Sequence, residues 1–345
     1  MKKLIASLVL GTIAIATTAQ LPRIVVQGNG APQVFTEPSA AINAAQSNDY
    51  IYLSGGTFNA PDNLVFDKPL HFVGAGMHPD STGITGVTSI QMIWSGIPVR
   101  YTVTTAASGS SFTGIAFGGA SSPFQYGTSG DDDDPTGIIF QRCSFVAGLT
   151  LSYESTTAMS STTFDECIFI NSAPTEGTAV LTRCIFSGTY SPYNFGSNSP
   201  LTMQHCVCIA TGGLNYVTGG TFEDCVFYGT FYGVASNFNN CLFVASEMPP
   251  GSTGSGNVFS LTVNSIFVNE TDGSYQFTDD MHLASGSPGH NAATDGTDVG
   301  LYGSSSPYKP GAVPYAPHYQ LANIGTATNG ALQLPVSFKV AAQSH

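Results

Sequence analysis

Charge is what this chain has least of. Asp, Glu, Lys and Arg make up 9% of 345 residues, with 9 basic against 22 acidic side chains and a formal charge of −13. So acidic a surface repels phosphate backbones and anionic lipid, which excludes nucleic acid and membrane surfaces as partners. A strongly anionic polysaccharide would need bound cations to mediate. Long apolar runs are also missing. After one stretch, Leu4–Ala16, nothing approaches the ~20 residues of a membrane helix, so no transmembrane anchor is expected. Disorder is excluded by the 42% of hydrophobic residues, since a disordered chain combines low hydrophobicity with high net charge.

Met1-Lys2-Lys3, the apolar Leu4–Ala16 and the small residues Thr17-Thr18-Ala19 before Gln20 describe a secretory signal peptide over 1–19. The expected location is therefore secreted, extracellular or at the cell surface, by bacterial export. The remaining length fits one all-β domain.

Seven cysteines in an exported chain would ordinarily suggest a disulfide framework. Their context suggests a repeat instead. They read Cys143-Ser-Phe145, Cys167-Ile-Phe169, Cys184-Ile-Phe186, Cys206-Val-Cys208, Cys225-Val-Phe227 and Cys241-Leu-Phe243, with a cysteine-free copy at Ser265-Ile-Phe267. Three residues before the anchors stand Phe140, Phe164, Leu181, Met203, Phe222 and Phe238. The anchors are 24, 17, 22, 19, 16 and 24 residues apart. Periods near 20 residues mean a solenoid whose repeats bury apolar faces against their neighbours. β-Branched and aromatic anchors between Gly-, Ser- and Asn-rich segments favour strands. No repeat holds the 10–12 helical residues of ankyrin or tetratricopeptide arrays. A parallel β-helix remains, with variable turns and an inward column of cysteines. Disulfides stay open, and an odd count leaves at least one cysteine unpaired.

The two ends of the repeat region add a resemblance. Glu37-Pro38-Ser39-Ala40-Ala41-Ile42-Asn43-Ala44-Ala45 fits a capping helix, with Thr36 as its N-cap and Pro38 in its first turn. Asp49–Phe58, with Gly55-Gly56, fits a first strand and turn, and Leu64–Phe66 with Leu70–Gly76 supplies two further strands. At the far end, Leu283–Pro288 leads into Asp295–Gly303. These segments resemble secreted bacterial repeat proteins of the pectate-lyase-like superfamily, over about residues 24–303. The resemblance implies an all-β, right-handed parallel β-helix, here 20–306, with an N-terminal cap helix. From 307 to 345 the prolines and the alternation of Leu332–Val340 suggest an extended tail packed on the solenoid. The superfamily includes lyases, hydrolases, adhesins and binding proteins, so fold alone gives no function.

Three sets of residues are candidates for chemistry. One place before the anchors lie Arg142, Glu166, Arg183, His205, Asp224 and Asn240. One place earlier lie Gln141, Asp165, Thr182, Gln204, Glu223 and Asn239. Stacked in register, they form a charged column. A lyase would use Arg142 or Arg183 as base, with Ca²⁺ to neutralise a uronate. A hydrolase would use two carboxyl groups from Asp165, Glu166, Glu223 and Asp224. The structural reading is an alternating-charge ladder that favours in-register stacking. Asp131-Asp132-Asp133-Asp134 is a solvated run or a Ca²⁺ site; no cofactor is otherwise required. Tyr190, Tyr193, Tyr228 and Tyr232, with Phe195, Tyr216 and Phe231 nearby, could form a platform for sugar rings or pack internally. His78, His282, His290 and His318 lack metal-ligand spacing and carry no assignment.

An apolar residue also follows most anchors: Ile168, Ile185, Val207, Val226, Leu242 and Ile266. Either the inside–outside assignment reverses locally, or an apolar stripe faces outward and marks a contact with the tail, another subunit or a ligand, the 307–345 tail being the nearest cover. The leading functional expectation is a non-catalytic extracellular protein that associates with polysaccharide or cell-surface glycan, or an adhesin. A polysaccharide lyase or glycoside hydrolase is the alternative, and a self-associating structural surface protein is the second.

Overall fold

The computed structural model describes residues 22–341 except 61–62, 93–99, 119–123, 128–132, 147, 153–159, 189–192, 195–200, 211–213, 230–231, 310, 312–317 and 326. The expected signal peptide 1–19, Asp131, Asp132 and Tyr190 lie outside the described residues. Tyr193 and Tyr232 are described in backbone only.

The chain is all-β, built on three long, predominantly parallel sheets. The early circuits lay one strand in each sheet, and in later ones the third strand, Tyr193–Asn194, Leu214–Thr218 or Tyr232–Val234, joins a separate three-stranded sheet. Ser111–Thr113 belongs to the first, Ala116–Gly118 to the second and Phe124–Tyr126 to the third, before Ile138–Gln141 returns to the first. This succession fits a parallel β-helix. The first sheet has 11 strands and the second 9. Within these sheets the pairing reverses at the start, where Ile24–Gln27 runs antiparallel to both Gln33–Phe35 and Tyr50–Leu53; outside them, Phe267–Asn269 pairs antiparallel with Asp280–Leu283.

Register holds the core together. In the first sheet Phe112, Phe140, Phe164, Leu181, Met203, Phe222 and Phe238 stand directly above one another. In the second, Phe117, Phe145, Phe169, Phe186, Cys208, Phe227 and Phe243 do the same. Within a column the rings stack, as at Phe140–Phe164 (5.2 Å, 8°), and between columns they meet edge-on, as at Phe140–Phe145 (5.2 Å, 81°). Both geometries suit the ring quadrupole. The doubled cysteine at Cys206 and Cys208 is explained here: Cys208 occupies the phenylalanine column, between Phe186 and Phe227.

The other six cysteines form their own buried column, and all seven are free thiols. Each donates across to the preceding rung, Cys167 to the Phe140 carbonyl (3.4 Å) and Cys206 to that of Leu181 (3.4 Å). After Cys241 the column continues with Asn257, whose Oδ1 accepts from the Cys241 backbone N–H (2.9 Å).

A helix, Pro38–Ala44, buries Ala41 and Ile42 in the same core. Its N-cap is Glu37, not Thr36, with no side-chain cap bond. Lys68 Nζ donates to the Ile42 and Ala45 carbonyls (3.2 and 3.3 Å), a favourable place for a cation at a helix end.

The outward apolar stripe has a cover, and it is not mainly the expected tail. Ile168, Ile185, Val207, Val226, Leu242 and Ile266 form a second buried cluster with Phe267, Met281, Leu283, Val299, Leu301 and Tyr308. The covering chain is thus 267–308, so only the first residues of the tail take part. Farther on, His318–Ile324 and Val336–Ala341 pair as an antiparallel hairpin, in which Ile324, Val336, Phe338 and Val340 are exposed.

Two outcomes test this packing. Native protein should leave all seven thiols unreacted toward a disulfide reagent, and denatured, unreduced protein should expose all seven; fewer in denaturant would reveal disulfides. Phe140→Ala, which empties a site between two stacked rings, should lower unfolding free energy by about 3–5 kcal/mol.

Candidate functional site

The charged column occupies the corner between the first two sheets. Arg142, Glu166, Arg183, His205, Asp224 and Asn240 all adopt positive φ, between 50° and 57°. That left-handed turn redirects the chain just before each cysteine and lets each corner N–H donate to the next rung: Arg142 to Asp165 O (2.9 Å), Arg183 to Gln204 O (3.0 Å). In the preceding rung Gly114 takes the corner, where the conformation carries no steric penalty. Side chains repeated at strained corners call for compensating contacts, and they have them.

Arg142 Nε meets Glu166 Oε2 at 2.7 Å, with both side chains only 1% exposed. Arg183 pairs with Asp165 and lies 3.7 Å from Glu166. Asp165 also accepts from Gln141 Nε2 (3.1 Å), as Glu223 does from Gln204 Nε2 (3.2 Å). His205 Nε2 lies 3.5 Å from Asp224, and its Nδ1 is 3.1 Å from the Gly300 carbonyl. Asp224 Oδ1 accepts from Thr294 N–H (2.7 Å) and from its hydroxyl (3.0 Å), while Asn240 donates to the same hydroxyl (3.1 Å). Burial pushes the Asp224 carboxyl up, against the opposing pull of Thr294 and His205.

The upper half of the column therefore clamps the covering segment. Gly303 shows how closely they fit: a Cβ there would stand 2.8 Å from His205 Nδ1. A cavity of about 340 Å³ remains beside Arg183, His205 and Asp224, roofed by Thr294, Asp295 and Ser304–Ser306. Arg142 is buried in its pair with Glu166, whereas Arg183, paired with Asp165, is partly exposed and lines this cavity.

The remaining sequence candidates lie apart from this column. Tyr228 is buried in the second cluster against Phe267 (6.0 Å), near Glu270. Asp133 accepts from Thr105 N–H (2.7 Å), and the Asp134 N–H donates to the Thr105 hydroxyl (2.9 Å), so the described half of the aspartate run is tied to one short turn. Among the described residues no group of three or more His, Cys, Asp or Glu could hold a metal ion.

A larger cavity, about 550 Å³, opens where the covering segment passes the turn at 78–83. Ile185, Met281 and Leu301, buried in the second cluster, contribute apolar side chains to its lining. Tyr275, Phe277, Tyr302 and Tyr319 add rings; Phe277 is 37% exposed and Tyr319 50%. Asp80, Asp279 and Asp280 add carboxylates, and His78 and His282 imidazoles. His78 accepts the Asp80 N–H at Nδ1 (3.2 Å), sets its ring edge-on to Phe277 (4.6 Å) and is held below the usual histidine range by burial. His282 lies flat on Tyr302 (3.7 Å, 9°), with its Nδ1 2.6 Å from Asp280 Oδ1. Burial would raise the Asp280 carboxyl, but the backbone and ring bonds from His282 bring it below its ordinary value.

This site is not legible in the sequence because its walls come from separate stretches, 78–83, Ile185, 275–282, 301–311 and Tyr319. One local signal existed. Tyr275 precedes, and Phe277 lies in, a Gln276–Asp279 turn closed by the Asp279 N–H to the Gln276 carbonyl (3.0 Å), and such an aromatic-rich turn is a loop signal that repeat spacing does not reveal. The arrangement suits a ligand with apolar faces and hydrogen-bonding edges: rings for the former, carboxylates for the latter.

No protein-family model matches the chain, and no curated protein sequence matches it.

The turn that launches this wall contains a titrating group. Glu270, 2% exposed, accepts from Gly273 N–H (2.7 Å) and Asp272 N–H (3.1 Å), and burial raises its carboxyl to about 7. The folded state thus prefers the protonated acid. Its contribution to stability is full below pH 4.5 and declines as pH rises toward 7, because the unfolded chain there binds fewer protons. Glu270→Gln should remove this decline and gain about 1 kcal/mol over wild type between pH 5 and pH 8, after allowance for solvent screening. Parallel stability–pH curves for the two proteins would contradict it.

Proposed function

We propose that the chain is an exported right-handed parallel β-helix of pectate-lyase-like architecture, capped by the 38–44 helix, that binds carbohydrate without cleaving it. The observation that carries this reading is the 550 Å³ cavity walled by Phe277, Tyr302 and Tyr319 with Asp80 and Asp280. Sugar rings present C–H faces that pack on aromatic rings and hydroxyls that donate to carboxylates. The charged column offers poorer ground for catalysis, since its arginines are paired and Glu166, His205 and Asp224 are buried. Export is supported by the leader-like start, and the cap by the burial of Ala41 and Ile42.

The second reading is a glycoside hydrolase or lyase acting in the same cavity. The Asp280–His282 pair favours it, because a carboxylate-oriented imidazole at a cavity wall is a competent proton acceptor.

The test combines binding and turnover. Mature protein is titrated calorimetrically with a panel of oligosaccharides, and parallel incubations with acidic and neutral polysaccharides, with and without Ca²⁺, are followed for unsaturated products and new reducing ends. The expected outcome is saturable binding to at least one oligosaccharide, weakened tenfold or more by Phe277→Ala, with no products. Products abolished by His282→Ala would overturn the non-catalytic reading in favour of the second.

A further inference from the structure

The cavity's charge is one-sided. Three of its lining residues are aspartates and none is Lys or Arg. Even with one imidazolium among its two histidines the wall stays negative. Among the described residues no basic group lines the cavity: Arg142 and Arg183 face Glu166 and Asp165, Lys68 holds the helix end, Arg100 donates to Gln125 (2.9 Å), and Arg23 and Lys339 also stand outside its lining. Lys309 adjoins Tyr308 in sequence but does not line the cavity.

The carboxylates are open to a ligand to different degrees. Asp80 is exposed, and its carboxylate makes no hydrogen bond among those described. The Asp280 side chain is 45% exposed, and Oδ1 receives both bonds from His282. Beside them stand the partly exposed rings of Phe277 and Tyr319 and the half-buried ring of Tyr302. Carboxylates and aromatic faces share one preference: both attract a cation, the first through charge and the second through the ring quadrupole. Against a uronate the cavity sets three carboxylates, and among its described lining residues no lysine or arginine pairs with the ligand's charge.

We infer that the cavity selects saccharides bearing a protonated amine, hexosamine units with a free amino group, over N-acetylated and uronic-acid saccharides. The inference rests on the reading of this cavity as a saccharide site. The rings take the apolar sugar face, and Asp80 and Asp280 take the ammonium. An acetyl group removes that charge, and a carboxylate reverses it.

The experiment is calorimetry on the mature protein at about pH 6, where a sugar amine is protonated. The probes are a β-1,4-linked glucosamine hexamer, its fully N-acetylated counterpart, an oligogalacturonate of equal length and tetramethylammonium. The expected result is that the amine hexamer binds at least tenfold more tightly than the acetylated one, with no binding of the oligogalacturonate. That gap should narrow as salt rises. Asp80→Asn/Asp280→Asn should bring the amine hexamer down to the affinity of the acetylated one. Glu37→Gln/Glu247→Gln removes equal charge away from the cavity and should change nothing, which separates site binding from general attraction to an acidic protein. Thermal melting checks that each variant is folded.

Equal or tighter binding of the acetylated hexamer or the oligogalacturonate, still lost in Phe277→Ala, would overturn the amine selection and leave the saccharide site standing. Equal losses in the two double variants would also overturn it. Failure of every saccharide to bind, or tetramethylammonium binding as tightly as the hexamer, would instead overturn the saccharide reading itself.

Discussion

A left-handed residue one place before each ladder cysteine is the constraint on which the rest of the structure depends. It turns the chain between the first two sheets within a single residue and aims an N–H at the next rung. Only with that corner fixed do the phenylalanine columns fall into register and the cysteines point inward. Gly114, Asp224 and Asn240 tolerate the conformation; Arg142, Glu166, Arg183 and His205 do so at a cost of about 1–3 kcal/mol each. The ion pairs and hydrogen bonds that their side chains make offset that strain. Charge in this column therefore serves the corner first.

The corner also decides where a ligand can go. Because its upper side chains bind the Thr294–Gly303 stretch, the covering segment is drawn across the second sheet and seals the apolar stripe. The apolar face of the second sheet is then occupied by the chain's own 267–308 segment. The open space is displaced to the edge of the cover, where 275–282 and 301–311 meet the 78–83 turn. Tyr319, at the start of the terminal hairpin, adds a wall from the tail.

What the sequence made legible follows this hierarchy. Cys-x-Phe with an apolar residue three places earlier revealed the rung, since those positions share one core in every copy. The same pattern concealed the corner's conformation. A run of Arg, Glu, His and Asp reads as solvated surface, and only the backbone shows that it is a buried turn. The stripe Ile168, Ile185, Val207 was visible as needing a cover, but the partners Met281, Val299 and Leu301 lie some hundred residues away, and nothing local pairs them. His78 and His282 were invisible to a search for metal-ligand spacing because their neighbours in space are Phe277, Asp280 and Tyr302. Loops and covers, not rungs, carry the individuality of this chain.

The most direct measurement is hydrogen–deuterium exchange with and without a saccharide that binds. The expected result is new protection confined to peptides spanning 78–83, 275–282 and 301–311, with the rungs from 138 to 243 unchanged. Protection along the outer face of those rungs, with the cavity segments unaltered, would contradict the placement of the site.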